Sequence, residues 1–224
     1  MNYRRHAEPL LGLANFDAVV GISINGVFLH TATSEFGYDA FYPQAYGTKR
    51  SPRRIQTDLC LGTSQHTGAY TYYMFSPCIY ESSPRWDPAP CSMNKECNTD
   101  VKSYAVSFIP RQLRTITPIG LAKDGRVIYG PYKQDGTLWQ PCDVDICNGR
   151  MFGSYYGYVA TTFHPYFVGC WGPGTDNILS AGCSANSGKC VFCDENPEDP
   201  ECSYASFMSL SIFALLISAF VAFF

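Results

Sequence analysis

The chain predicts a mostly β, disulfide-bonded domain built from two related hairpin-plus-cysteine-loop units, with a C-terminal apolar helix. Three observations carry that expectation. First, residues 58–78 (DLCLGTSQHTGAYTYYMFSPC) and 145–170 (DICNGRMFGSYYGYVATTFHPYFVGC) share a pattern: D-x-C-x-G, a short loop ending in Gly, Y-x-Y, then Pro and a closing Cys. The matched positions are Asp58/Asp145, Cys60/Cys147, Gly62/Gly149, Gly68/Gly153, Tyr70/Tyr156, Tyr72/Tyr158, Pro77/Pro165 and Cys78/Cys170. Second, a hairpin signature precedes each stretch: AVVGISINGVFLH from 18 and IGLAKDGRVIY from 119, with Asn-Gly and Asp-Gly at the turns. Such dipeptides supply the positive φ values that a tight turn needs. Third, the chain holds eleven cysteines, a number that points to an oxidising compartment.

The order along the chain follows from these units. Residues 15–172 read as one domain, with units at about 18–80 and 118–172 and a Cys- and Pro-rich linker at 81–117. Two similar units, neither able to bury its own face, are expected to pack as a pseudo-symmetric pair. The run YAVSFI at 104–109 reads as a strand. A Cys-rich acidic stalk (173–202) and a hydrophobic tail (203–224) follow. The tail carries no charge, and its last 18 residues would span roughly 27 Å as a helix, close to a hydrocarbon core. A polar stalk ahead of an uncharged apolar end is the layout of a GPI-attachment signal, with Asn196, Ser203 and Ala205 as candidate attachment residues. A retained tail anchor and a core or interface helix are the competing readings. At the other end no apolar run of signal-peptide length follows Arg4 and Arg5. A true N-terminus upstream of Met1 is therefore expected.

Symmetry of the two units pairs Cys60 with Cys78 and Cys147 with Cys170, and proximity pairs Cys91 with Cys97. Cys183, Cys190, Cys193 and Cys202 are expected to pair among themselves, which leaves Cys142 as the odd thiol.

Charge and composition exclude some functions. A net charge of -3 gives no basic face for nucleic acid, so no nucleic-acid partner is expected. The short cluster Lys49, Arg50, Arg53 and Arg54, broken by Pro52, reads as a solvated loop in preference to an anion site. His6, His30, His66 and His164 are isolated in sequence. Asp58 and Asp145 could form a carboxylate pair between the units, but capping of the loop that follows each is the preferred role. No catalytic residue, metal site or cofactor is expected. Tyr70, Tyr72, Tyr73, Trp139, Tyr155, Tyr156 and Tyr158 are candidates for an aromatic surface that takes a glycan or protein partner. Strand alternation also allows Tyr70/Tyr72 and Tyr156/Tyr158 to fill the core, and that role is preferred for those two pairs.

The runs GISINGVFLH, DLCLG-x5-GAYTYYMFSPCIY, PIGLAKDGRVIYGPY, DVDICNG and FHPYFVGCWG, in that order, resemble the YHYH-domain family over roughly 21–172. The resemblance implies a mostly β domain with paired cysteines, similar to exported proteins whose biochemical role is largely unassigned. It also implies an upstream segment that is absent here. The signature falls on Tyr70-Thr71-Tyr72-Tyr73, so Thr71 and Tyr73 replace both histidines, and Thr63 stands where another would follow Cys-x-Gly. In the second unit the run is Tyr156-Gly157-Tyr158-Val159, again without imidazole. The expected function is a non-catalytic, exported, membrane-associated surface protein. The alternatives are a metal-dependent or hydrolytic enzyme of unknown substrate and a soluble secreted binding module.

Overall fold

Two hairpins meet at the centre of the molecule. In the computed structural model, which describes residues 19–174 except 32, 35, 65–67, 82 and 88, β1 (Val19–Ser23) turns back into β2 (Phe28–His30). Likewise β5 (Pro118–Ala122) turns back into β6 (Val127–Tyr129). Both turns close with the same bonds: Ser23 N–H to the Val27 carbonyl at 2.9 Å, and Ala122 N–H to the Arg126 carbonyl at 2.8 Å. Only the glycine of each turn takes a positive φ, 83° at Gly26 and 84° at Gly125. The expectation of a turn with several positive φ values is corrected here: each connection is a three-residue loop with one left-handed glycine. Asn25 and Asp124 are thereby left with side chains aimed elsewhere.

All described residues lie in the first of the two units into which the chain divides, Met1–Gly188. Within them, β3 (Gly62–Ser64), β4 (Tyr70–Tyr72), β7 (Gly149–Phe152) and β8 (Tyr155–Val159) complete an eight-stranded sheet of order β3-β4-β2-β1-β5-β6-β8-β7. The pairings recur in the two halves. β2–β4 and β6–β8 are parallel, while β3–β4 and β7–β8 are antiparallel. The halves join edge to edge through β1 and β5, in the register Gly21↔Ala122, Ile22↔Leu121, Ser23↔Gly120. A local twofold passes through the Ile22–Leu121 pair. A Cβ on Gly21 would sit 2.5 Å from the Leu121 carbonyl oxygen, and one on Gly120 would sit 2.5 Å from that of Ile22. The junction therefore requires glycine at both positions, because the clashing atoms are backbone.

Register shifts at Val19/Gly21 and Pro118/Gly120 turn Val20 and Ile119 inward. They join Leu29, Ile128, Tyr72, Tyr158, Phe167 and Val168 in a core shared by both halves. Among the described residues, the opposite face is covered at its ends. One end is packed by Leu59, Leu61, Tyr73, Val101, Tyr104 and Tyr166, and the other by Tyr129, Trp139, Val144, Val159 and Phe163.

The linker corrects one expectation. Residues 104–109 do not form a strand; α2 (Val101–Ser107) follows α1 (Lys95–Thr99). Asp100 caps α2 by accepting from the Lys102 and Ser103 N–H groups, and Val101, Tyr104 and Ala105 place apolar side chains on one helical face. A short, nearly continuous apolar run fits either a strand or a helix, and the cap decides it.

Three disulfides, Cys60–Cys78, Cys91–Cys97 and Cys147–Cys170, have Cα separations of 5.3, 5.3 and 4.5 Å. Cys142 is not the odd thiol. It is disulfide-bonded, and since the other described cysteines pair with one another, its partner lies outside the described residues. Cys183, Cys190, Cys193 and Cys202, the acidic stalk and the apolar tail also lie outside them. Among the described residues no helix is long and apolar enough to cross a membrane.

Candidate functional site

Each D-x-C-x-G loop is built around its aspartate. The Asp58 Oδ1 accepts from Cys60 N–H at 2.9 Å and Gly62 N–H at 3.1 Å. The Asp145 Oδ1 accepts from Cys147 and Gly149 N–H, both at 3.0 Å. The second oxygen takes the tyrosine that opens the Y-x-Y strand: Tyr70 donates to Asp58 Oδ2 at 2.6 Å, and Tyr156 to Asp145 Oδ2 at 2.8 Å. Each phenol lies so close to Gly62 or Gly149 that a Cβ there would overlap it. In the second half Gly174 N–H adds a further bond to Asp145 Oδ2, at 2.7 Å. The aspartates cap their own loops, and those loops lead into β3 and β7, the two ends of the strand order. They do not form a carboxylate pair.

The second tyrosine of each pair reaches back to the hairpin turn. Asn25 Nδ2 donates to the Tyr72 hydroxyl at 3.1 Å and to the Cys78 carbonyl at 3.0 Å. Tyr158 donates to Asp124 Oδ2 at 2.7 Å. Asn25 and Asp124 were legible as turn residues, but nothing in their spacing marks them as phenol partners. Burial, followed by the Asp58 hydrogen bond, raises the Tyr70 phenol well above its ordinary pKa. Burial and then the Asp145 charge do the same at Tyr156, and burial and then the Asp124 bond at Tyr158. These phenols stay protonated donors and are poor nucleophiles.

The other candidate aromatics are dispersed. Tyr72, Tyr73, Trp139, Tyr156 and Tyr158 are buried, Tyr70 is half-buried and Tyr155 is exposed. The seven therefore do not make one surface. Tyr73 stacks on His30 with ring centroids 4.4 Å apart, and Trp139 donates to the Gly130 carbonyl at 3.0 Å. Tyr155 lies against Phe152 and shares a 2.9 Å hydroxyl contact with Tyr129. Burial, then that contact, pushes the Tyr129 phenol up to about 12. The two positions with imidazole in the resembling signature are interior here, since Thr71 and Tyr73 are buried.

A buried polar cluster had no signal in the sequence. The Asp39 carboxylate is fully buried and accepts from Phe41 N–H, Tyr42 N–H and the Tyr166 hydroxyl, each at 2.9 Å. Tyr166 thus carries the second half into the minor core of the first. His164 packs edge-on against Tyr166, and burial lowers its pKa, opposed by the Asp39 charge. Burial also lowers that of His30, opposed by its bond to the Thr31 carbonyl. His6 and His66 lie outside the described residues.

Two surface features remain. Registers Phe28↔Ile22, Ile22↔Leu121 and Leu121↔Val127 set four apolar side chains in one row across β2-β1-β5-β6, with Phe28, Ile22 and Leu121 exposed and Val127 half-buried. The second is the basic segment around Lys49–Arg54. No family model, no curated protein and no solved structure matches this chain.

Proposed function

We propose that the chain is an exported, membrane-held surface protein that acts by binding and not by catalysis, on an internally duplicated scaffold of the YHYH-domain kind. The observation that carries this is the fate of the two Y-x-Y segments. Their four hydroxyls are engaged by Asp58, Asn25, Asp145 and Asp124, groups of the same half, and each loop is closed by its own disulfide. Residues at the signature therefore hold strands together and present neither a base nor a nucleophile to solvent. The disulfides favour a non-reducing compartment, and the uncharged tail 203–224 favours attachment to a membrane. A glycan or protein partner outside the cell is the expected ligand.

The test is surface proteolysis of intact cells that make the full chain, followed by non-reducing peptide mapping. Cleavage outside the cell with Cys60–Cys78 and Cys147–Cys170 intact supports the proposal. Release by a phosphatidylinositol-specific lipase then separates a GPI anchor from a retained helix. A chain found protected inside the cell with free thiols would refute it.

A further inference from the structure

The first half carries a segment that the second lacks. Equivalent positions are 99 residues apart at the bridge residues Asp39 and Leu138, but 87 apart at Asp58 and Asp145, so the first half holds 12 extra residues. That stretch contains Lys49, Arg50, Arg53 and Arg54 and no acid anywhere in 40–57. The aspartate just before it, Asp39, is buried and turned to Tyr166.

Three of these four cations lie over aromatic rings. Lys49 Nζ lies 5.5 Å from the Tyr38 ring centroid and donates to the Phe36 carbonyl at 2.7 Å. The Arg53 guanidinium lies 5.4 Å from the Phe36 ring, and that of Arg54 lies 5.9 Å from Phe41. Lys49, Arg50 and Arg53 are exposed and Arg54 is half-buried. Among the described residues none of the four is in an ion pair. Rings beneath Lys49, Arg53 and Arg54 restrain those cations. One Lys49 donor is spent on the Phe36 carbonyl and one from Arg54 points at Cys91 Sγ at 3.9 Å, and the remaining donors are available to a ligand. Lys49 and Arg53 both contact Phe36, and like charges held close without an anion among the described residues repel one another, so the arrangement gains when an anion is bound.

We propose that Lys49, Arg50, Arg53 and Arg54 form a docking surface for an anionic polysaccharide bearing sulfate or carboxylate groups along its chain. Guanidinium forks match both groups bidentately. Cations strung along a loop suit spaced charges better than one small anion, which needs donors converging on a point. The choice of a glycan over a membrane surface follows from compartment: disulfides belong outside the reducing cytosol, whereas anionic lipid is concentrated in the cytoplasmic leaflet. The inference rests on the extracellular binding role proposed above and adds the class of ligand.

The test uses the full chain in detergent, disulfides intact, with heparin as the probe and isothermal titration as the readout. Binding should weaken steeply as salt rises from about 50 to 200 mM, through counterion release. The double variant Arg50→Glu, Arg53→Glu should lose about tenfold or more in affinity, since each reversed charge removes an anion contact. The control Arg111→Glu, Lys133→Glu makes the same change in net charge elsewhere and should stay within about twofold. An unchanged thermal midpoint in the first variant excludes misfolding; if it falls, Arg50→Gln with Arg53→Gln repeats the measurement without charge reversal. Absence of heparin binding, equal losses in both variants, or binding only to acidic phospholipid vesicles would overturn the inference. Surface proteolysis decides the broader proposal separately, so a surface-exposed chain that ignores heparin would leave that proposal standing.

Discussion

Replacing Asp145 by alanine should be among the most damaging single changes in the domain, and more damaging than the same change at Asp58. Asp145 receives Cys147 and Gly149 N–H at 3.0 Å, the Tyr156 hydroxyl at 2.8 Å and Gly174 N–H at 2.7 Å. Among the described residues Asp58 receives Cys60 N–H, Gly62 N–H and the Tyr70 hydroxyl. A hydrogen bond to a charged group contributes about 1.5–3 kcal/mol, but losses within one network do not add, and both carboxylates are only partly buried. A loss of about 3–5 kcal/mol for Asp145→Ala and about 2–3 kcal/mol for Asp58→Ala is expected on that basis. At roughly 2–4 °C per kcal/mol for a domain of this size, the first variant should melt at least about 6 °C below the parent. Urea unfolding with disulfides intact, followed by tryptophan fluorescence, measures both. If Asp58→Ala proves the more costly, or Asp145→Ala loses less than about 1 kcal/mol, the carboxylate is not the organiser of its loop.

The remaining predictions concern the sheet junction, the cysteines and acid. Gly21→Ala and Gly120→Ala should each cost on the order of 2–3 kcal/mol, since a Cβ meets backbone that cannot move aside without breaking the β1–β5 pairing; a neutral result at either would mean that the strands are further apart. Removing Cys60 and Cys78 together should cost about 3 kcal/mol through the freed 18-residue loop, with no cost if the loop is held by Asp58 alone. In the folded chain iodoacetamide should label Cys142 only after reduction, whereas labelling beforehand would show a free thiol. His30 and His164 have folded pKa values below their ordinary 6.5. The unfolded chain takes up protons first as pH falls, so their contribution is complete above 6.5 and is lost as pH drops from there towards the folded values. The urea midpoint should therefore decline on going from about pH 7 to 5, less so in His30→Gln; a midpoint that rises on acidification would contradict the buried neutral imidazoles.

Much of the local architecture was legible. The two hairpins, the Y-x-Y strands β4 and β8 and the three disulfides follow from features that act within a few residues: turn dipeptides, alternation, and cysteines bracketing a short loop, whereas β3 and β7 fall where the sequence reads as loop. Capping by Asp58 and Asp145 was legible for the same reason, because an aspartate two residues before a Cys-x-Gly turn bonds its own backbone. The misreadings have separate causes. At 104–109 the apolar run was short enough to fit either period, and an aspartate one residue ahead of the helix decided it. Cys142 has no counterpart in the first unit, so the repeat offered it no partner.

By itself the sequence determined the two hairpins, the Y-x-Y strands and which neighbouring cysteines close their loops, since these depend on local backbone preference and short-range chain closure. The tertiary structure alone decided that the halves share one sheet through β1 and β5, that Tyr73 and Trp139 are buried, and that Asp39 is satisfied by Tyr166 from 127 residues away. Those outcomes depend on which apolar faces cover one another once the chain has collapsed. Burial of that kind is non-local: the same Y-x-Y alternation serves a surface or a core, and only the layer packed against it determines which.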